Sequence, residues 1–492
     1  MRPEPQGRLR PLQNTNTRAD QEDLGNVDTK RRNFLRGLVT IAGAATAQTA
    51  RAQHVHQPPA ATEAAGPAPT APVPPDRLGP GIAPVITPDV PDMPWRLEGG
   101  VKVFEVRAEH VRTEFLPGRI VDAWGFNGSV PGPTIQVNEG DRVRLVVENR
   151  LPEGFSMHWH GLEIPNDMDG MPGISQELIA PGGRFAYEFT LHQNGTFFYH
   201  SHLAMQEMMG LIGTFIIHPR RAHAPRVDRD FAIVLQEWAI LPNNTIPNTL
   251  AMEFNWLTLN GKSGPATTPL LCKIGERVRV RFVNLGMDHH PMHLHGHQFT
   301  VTGTEAGRIR TTAEEPMNTV LVGVAQARDI EFVANNPGDW HLHCHLPHHM
   351  MNQMASMVGP TTSGSGIAPG SMTGGMGIVT GGAFDQSAGP AFGRTIGNGA
   401  AAERPAPNMP LGGPPTFMQP QRSAPNADMF PGYPQDMFMV MDDAVAKPET
   451  YGLRPGWSGG TMGMMTIVRV LTPELFDKIA ELKAEQARKA RA

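Results

Sequence analysis

Four His-x-His pairs carry most of the chemistry legible in this chain. They are His158-Trp159-His160-Gly161, His200-Ser201-His202, His293-Leu294-His295-Gly296 and His343-Cys344-His345, the third preceded by His290-Pro291-Met292. In an extended strand, residues i and i+2 point to one face, so each pair sends two imidazoles the same way. Eight such imidazoles suffice for three metal ions with positions left open for oxygen. Structural zinc would require closed four-coordinate sites, usually with more thiolate. Imidazoles with a single thiolate suit copper, and such a cluster can pass electrons singly to dioxygen.

The last motif is the richest. On a strand, Cys344 points opposite to His343 and His345. It is then free to join His290, His349 and a more distant Met354 in a set of two histidines, one cysteine and a weak methionine. That is the blue-copper electron-transfer arrangement. The peptide linking Cys344 to its neighbours is a short covalent path between two metal centres. The other cysteine, Cys272, follows Leu270-Leu271 and reads as a buried, inert thiol. A disulfide would cost Cys344 the thiolate that its motif requires.

The elements that must position these residues are strands. The 492 residues include 53 glycines and 47 prolines, which favours short strands and turns over helices. Val101-Lys102-Val103-Phe104-Glu105-Val106 alternates, a turn follows at Asn127–Pro133, and Arg142–Glu148 is again extended. The pattern then repeats. Glu139-Gly140-Asp141-Arg142-Val143-Arg144 matches Ile274-Gly275-Glu276-Arg277-Val278-Arg279, and the same offset of 135 carries His158–Gly161 onto His293–Gly296. At an offset of 143, Gly195–His202 falls on Gly338–His345. Strands, turns and His-x-His repeated together indicate two copies of one β-sandwich, over 98–222 and 223–360.

Flanking segments have other characters. Arg31-Arg32-Asn33-Phe34-Leu35-Arg36 and the small-residue run Gly37–Ala50 read as a twin-arginine export signal over 1–52, with cleavage expected after Ala50-Arg51-Ala52. The run is too short and too rich in alanine and glycine to span a bilayer well, and no other segment approaches spanning length. The expected location is the periplasm or outside the cell. Residues 53–97 are a Pro/Ala-rich leader. Residues 361–492 form a Met/Gly/Pro-rich extension, with a returning strand expected at 461–470 and a helix at 473–490. A formal charge of -5 offers no polyanion-binding surface, so nucleic acid is not an expected partner.

With these motifs, the chain resembles the multicopper oxidases, the family of laccases and cuprous oxidases. It is most similar to their two-domain members, among them the small laccases, over about residues 98–360. The resemblance implies an all-β fold of two tandem cupredoxin-like Greek-key sandwiches. It implies four coppers per active unit: a type 2 copper on His158 and His293, and a type 3 pair on His160, His200, His202, His295, His343 and His345. A type 1 copper would sit on Cys344, His290 and His349, with Met354 axial. His297, His341 and His348 match no ligand position. Shifted by the two offsets, the type 1 ligands fall on Phe155, Ser201, Gln206 and Leu211, so the first domain keeps half a trinuclear site and no type 1 copper. The family's two-domain members imply a homotrimer, with each trinuclear site shared between subunits.

The implied reaction is one-electron oxidation of a phenolic or aromatic donor, or of Cu(I), coupled to reduction of dioxygen to water. That reduction consumes protons, and Asp169 matches an acidic position near the type 2 copper in laccase-like relatives; a turn residue before Gly170 fits equally. Some relatives carry a second acid directly after the last type 1 histidine, where this chain has Met350. Methionine clusters such as Met437-Phe438-Met439-Val440-Met441 offer thioethers that suit Cu(I), or simply adaptable packing. Two other readings are a copper nitrite reductase, which would carry its blue copper in the first domain and needs no trinuclear cluster, and a non-enzymatic copper-binding or tolerance protein.

Overall fold

The computed structural model describes residues 78–350, 352 and 440–490, except for 204, 241–243, 251 and 253. The twin-arginine segment, Met354 and the rest of the run 353–439 lie outside the described residues. The remainder forms two tandem Greek-key sandwiches of the cupredoxin type, built of four sheets.

In the first sandwich, one sheet runs in the order Trp95–Glu98, Val101–Leu116, Arg142–Asn149, Arg184–Thr190, with Arg119–Phe126 paired to Val101–Leu116. The facing sheet runs Gly132–Asn138, Ile212–His218, Gly195–Ser201, Met157–His160. Arg142–Asn149 alternates buried and less buried residues along its length, which is how a sheet with one wet face reads. Phe104, Leu145, Trp159, Tyr187, Phe197, Tyr199 and Phe215 fill the space between the sheets.

The second sandwich repeats this plan. One sheet runs Arg229–Trp238, Arg277–Asn284, Gln326–Val333, Phe299–Thr304, and the other runs Leu270–Lys273, Met465–Leu471, Gly338–Cys344, His290–Leu294, Thr319–Val322. The repeat holds at the level of register. His158 lies opposite His200 in one antiparallel pair, and His293 lies opposite His343 in the corresponding pair.

Two stretches that composition placed outside the sandwiches contribute strands. In the part of the leader that is described, Val85–Ile86 pairs in parallel with Asp230 and Phe231. The Gln136 side chain holds Val85 by both its N–H and its carbonyl, at 3.2 and 3.0 Å. Late in the chain, Met465–Leu471 enters between Leu270–Lys273, to which it is parallel, and Gly338–Cys344, to which it is antiparallel. Ile212–His218 takes that place in the first sandwich. The Met-rich run is therefore an insertion between two neighbouring strands of the second sandwich, not a tail beyond it. The helix Pro473–Lys489 follows, capped by the Thr472 hydroxyl and docked through buried Ile479. No helix among the described residues is long and apolar enough to cross a membrane.

The two sandwiches stack in one sense. The histidine-bearing sheet of the first packs on the sheet of the second that carries none of the His-x-His pairs. Phe198 and Ile212 pack there against Val234, Val283, Leu285 and Ala327. This explains why Arg277–Asn284 is buried on both faces although its repeat partner is not. Its outward arginines need partners in the dry interface. Arg281 binds Asp230 at 2.7 and 2.8 Å and Thr196 of the first sandwich at 2.7 Å. Thr196 in turn donates to Asp329 at 2.7 Å. Burial pushes the Asp230 carboxyl up, but Arg281 and Arg279 hold it below the ordinary carboxylate value.

A chain cut after residue 440 loses an interior strand of the histidine-bearing sheet of the second sandwich. Calorimetry of that truncation is expected to show the first sandwich melting alone, with the second no longer unfolding cooperatively.

Candidate metal centres

Three groups of side chains converge, and the strands explain each. Cys344 ends the strand Gly338–Cys344, and its sulfur turns inward to meet two rings. Sγ lies 3.3 Å from His349 Nδ1 and 3.8 Å from His290 Nδ1. The two ring nitrogens are themselves 3.1 Å apart. All three residues are fully buried. His290 comes from the neighbouring strand, and His349 from the helical turn Pro347–Met350 directly after the cysteine. Two imidazole nitrogens and a thiol aimed at one another in an apolar interior make sense around a shared soft cation. The residues present thus fit a type 1 copper. Burial pushes the Cys344 thiol up to about 12, so metal must displace its proton.

The flanking imidazoles turn the other way. His343 Nε2 lies 3.0 Å from His295 Nε2. The His293 ring is 5.6 Å from His343 and 5.4 Å from His345. His343 donates Nδ1–H to the Cys344 carbonyl at 2.8 Å, and His293 donates its own to Asn318 at 2.7 Å. Both therefore present Nε2 to the common space. His293 and His295 of this tetrad line an open cleft of about 370 Å³, and His295 and His345 are exposed.

The first sandwich holds the matching tetrad. His158 and His160 point together from their strand, and His200 and His202 meet them from the next. The His158 ring is 5.3 Å from His200 and 5.2 Å from His202, and His160 Nδ1 lies 3.3 Å from His200 Nε2. Phe198 stacks on His160 at 4.1 Å. Among the described residues, no histidine–histidine ring contact joins one of the three groups to another. The stacking of the sandwiches is the reason: the two tetrads belong to different layers.

Asp169 follows the short turn Asn166–Met168. Its carbonyl accepts from His158 Nδ1 at 2.8 Å, and its carboxylate stands 3.5 Å from the same nitrogen. Gly170 lets this turn close on the histidine strand: φ is +86°, and a Cβ there would meet the Met157 carbonyl at 1.8 Å. Of the unassigned histidines, His341 packs beside His295 and His348 beside His349, while His297 is buried among Phe332 and Trp340. Cys272 is buried, with its thiol pushed up to about 12 by desolvation.

Asp169 apart, the carboxylates at these groups were not legible in the sequence. Glu207 stands 3.0 Å from His200 Nδ1. It sits at the place that corresponds, at the offset of 143, to Met350, the position where some relatives carry an acid and this chain does not. Asp288 stands 3.5 Å from His349 Nε2, and that histidine holds its carboxyl below the ordinary value. Glu237 reaches His290. Where the first sandwich has lost the cysteine, Ser201 donates to Gln206 at 2.5 Å, and Gln206 donates to Glu153 at 2.7 Å. Glu153 and Asp288 are repeat partners, so one carboxylate caps the amide in one sandwich and the imidazole in the other.

Burial, and then neighbouring imidazoles, hold His160 and His343 at about 4. Both lie below 6.5, so the unfolded chain takes up protons first as pH falls. Stability of the metal-free protein should decrease from pH 6.5 toward 4 as these imidazoles take up protons, and fall further below that as paired carboxylates such as Asp230 are protonated. Thermal midpoints of metal-free protein at pH 7 and pH 4.5 check this; equal midpoints would refute it. Copper titration at pH 7 should release about one proton from Cys344, read by calorimetry in buffers of differing ionisation heat.

A family model described as multicopper oxidase matches residues 107–222, and a second of the same description matches 240–361. Copper resistance protein A of Pseudomonas syringae pv. tomato is 42% identical over 148 residues, covering 30% of this chain and 24% of that protein. Laccase-2 of Botryotinia fuckeliana is 33% identical over 241 residues, covering 44% and 40%. The crystal structure of a blue copper oxidase from Nitrosomonas europaea is 30% identical, covering 51% of this chain and 81% of that one, with a TM-score of 0.47. The chain spans less than half the length of both curated relatives. Paired histidine tetrads, a buried cysteine between two imidazoles and both matched segments agree: the chain belongs to the multicopper oxidase family, whose metal is copper.

Proposed function

We propose that this chain is an exported two-domain multicopper oxidase that takes electrons one at a time from a reducing donor and passes them to dioxygen, yielding water. The observation that carries the reading is the division of side chains at residues 343–345. Cys344 faces His290 and His349, while His343 and His345 face the tetrad of the second sandwich. Bound there, copper would supply one-electron redox chemistry and a place for oxygen to be reduced.

The chain's own residues have assignable tasks. Cys344, His290 and His349 would hold the type 1 copper, with Met354, which lies outside the described residues, as the fourth ligand the resemblance implies. His158 and His293 would hold the type 2 copper, and His160, His200, His202, His295, His343 and His345 the type 3 pair. The backbone of 343–345 links the two centres covalently. Asp169 and Glu207 are the carboxylates placed against the first tetrad, where protons must arrive.

Because the two tetrads lie in different layers and one stands open, the trinuclear site would be completed by another copy. A head-to-tail ring of three closes without leaving a half-site. Export by the twin-arginine motif into the periplasm suits a protein that folds around metal before leaving the cytoplasm. Among donors, Cu(I) has a specific observation in its favour. The methionine-rich insertion leaves and re-enters the fold at the type 1 ligands: Met464 donates its N–H to the His349 carbonyl at 3.0 Å, and Cys344 donates to the Met464 carbonyl at 3.0 Å. The similarity to a copper resistance protein points the same way.

Cys344→Ser should abolish turnover and the thiolate-to-copper absorption while leaving copper at the tetrads. Oxygen-electrode assays with Cu(I), a phenol and nitrite should show uptake with the first or second and none with the third; nitrite turnover alone would overturn the reading. A mixing experiment tests the shared site. Subunits with His158→Ala and His160→Ala, and subunits with His293→Ala and His295→Ala, are each expected to be inactive. Reassembled together they should recover roughly a quarter of full activity, since random rings restore that share of complete interfaces.

A further inference from the structure

Glu237 has no part in the reading above. It lies near the end of the strand Arg229–Trp238, inside the run Phe231-Ala232-Ile233-Val234-Leu235-Gln236-Glu237-Trp238. Its side chain and that of His290 are both fully buried. An acid does not stay in such a place without partners. Oε2 stands 3.2 Å from His290 Nε2. Oε1 accepts the N–H of Asp288 at 3.0 Å, and that of Met287 as well. Three N–H groups thus converge on one carboxylate, so neither of its oxygens is left without a donor. The loop is shaped to allow this: a Cβ on Gly286 would stand 2.0 Å from Oε2.

The first sandwich supplies an internal control. Lys102 pairs with Val143 there, as Arg229 pairs with Val278 in the second. That register sets His110 where the second sandwich has Glu237, and His110 is exposed. The same sandwich has Phe155 in place of His290. Within this molecule, then, the buried acid accompanies the cysteine and its two histidines and is missing where they are missing.

We propose that Glu237 is a positioning residue for the type 1 copper. It fixes His290 as the Nε2–H tautomer with Nδ1 turned to the metal, and it places a buried negative charge one imidazole away, which favours Cu(II) over Cu(I) and lowers the potential of the site. This rests on Cys344, His290 and His349 being that site.

The test is a potentiometric titration of full-length, copper-loaded protein, followed at the thiolate-to-copper absorption. Glu237→Gln should retain the band and raise the midpoint by at least about 59 mV, the equivalent of a tenfold loss of preference for Cu(II). Glu237→Asp keeps the charge but withdraws it from the ring, and should rise less. A Glu237→Gln midpoint equal to that of the unaltered protein overturns the proposal. If that variant fails to load copper, Glu237→Asp decides: a raised midpoint supports the proposal, and an unchanged one overturns it. Unaltered protein without the absorption would count instead against the type 1 site itself.

Discussion

Alternation of side chains along one strand is the constraint on which this structure turns. At Gly338–Cys344 the pleat sends a sulfur into the sandwich and the neighbouring imidazoles out of it. A shift of one residue in the pairing with His290–Leu294 would exchange those directions. Register is therefore part of the chemistry. It is held by the pairs Met292–Cys344 and His293–His343 on one side and by Met465–Leu471 on the other.

Stacking of the sandwiches sets the next level. The first gives its histidine-bearing sheet to the interface, and the second meets it with the other sheet. The buried exchange among Arg281, Thr196, Asp230 and Asp329 fixes this orientation, because any other packing would strand charges in a dry contact. One tetrad then lies beside the interface and the other faces outward. A chain arranged in this way holds two half-sites rather than one whole one.

The duplicated sandwich shows how a metal site is lost without loss of fold. Ser201, Gln206 and Glu153 fill with hydrogen bonds the space that Cys344, His349 and Asp288 occupy in the repeat. Each polar atom removed from metal-type geometry has found another partner, as burial requires. The same comparison separates residues that serve the scaffold from those that serve the centre. Asn149 and Asn284, which bind the corresponding Glu153 and Asp288 carbonyls at 2.8 Å, are kept in both. Glu237 is present in one.

The sequence by itself determined the two sandwiches and the His-x-His sets. Period-two alternation and a local spacing of i, i+2 are properties that neighbouring residues carry with them. It also singled out Cys344 as the residue facing away from its neighbours. Only the tertiary structure decided the acids beside the rings, because Glu237 and His290 are 53 positions apart in the chain and their contact depends on how separate strands are laid together. The returning strand expected at 461–470 is present as Met465–Leu471. Its place between Leu270–Lys273 and Gly338–Cys344, whose residues end more than a hundred positions earlier, was likewise decided by the tertiary structure, as was the strand Val85–Ile86, whose proline-rich surroundings concealed it. Composition describes a segment alone, whereas sheet order and layer stacking are set by which long-range pairing buries the most apolar surface with every buried charge matched.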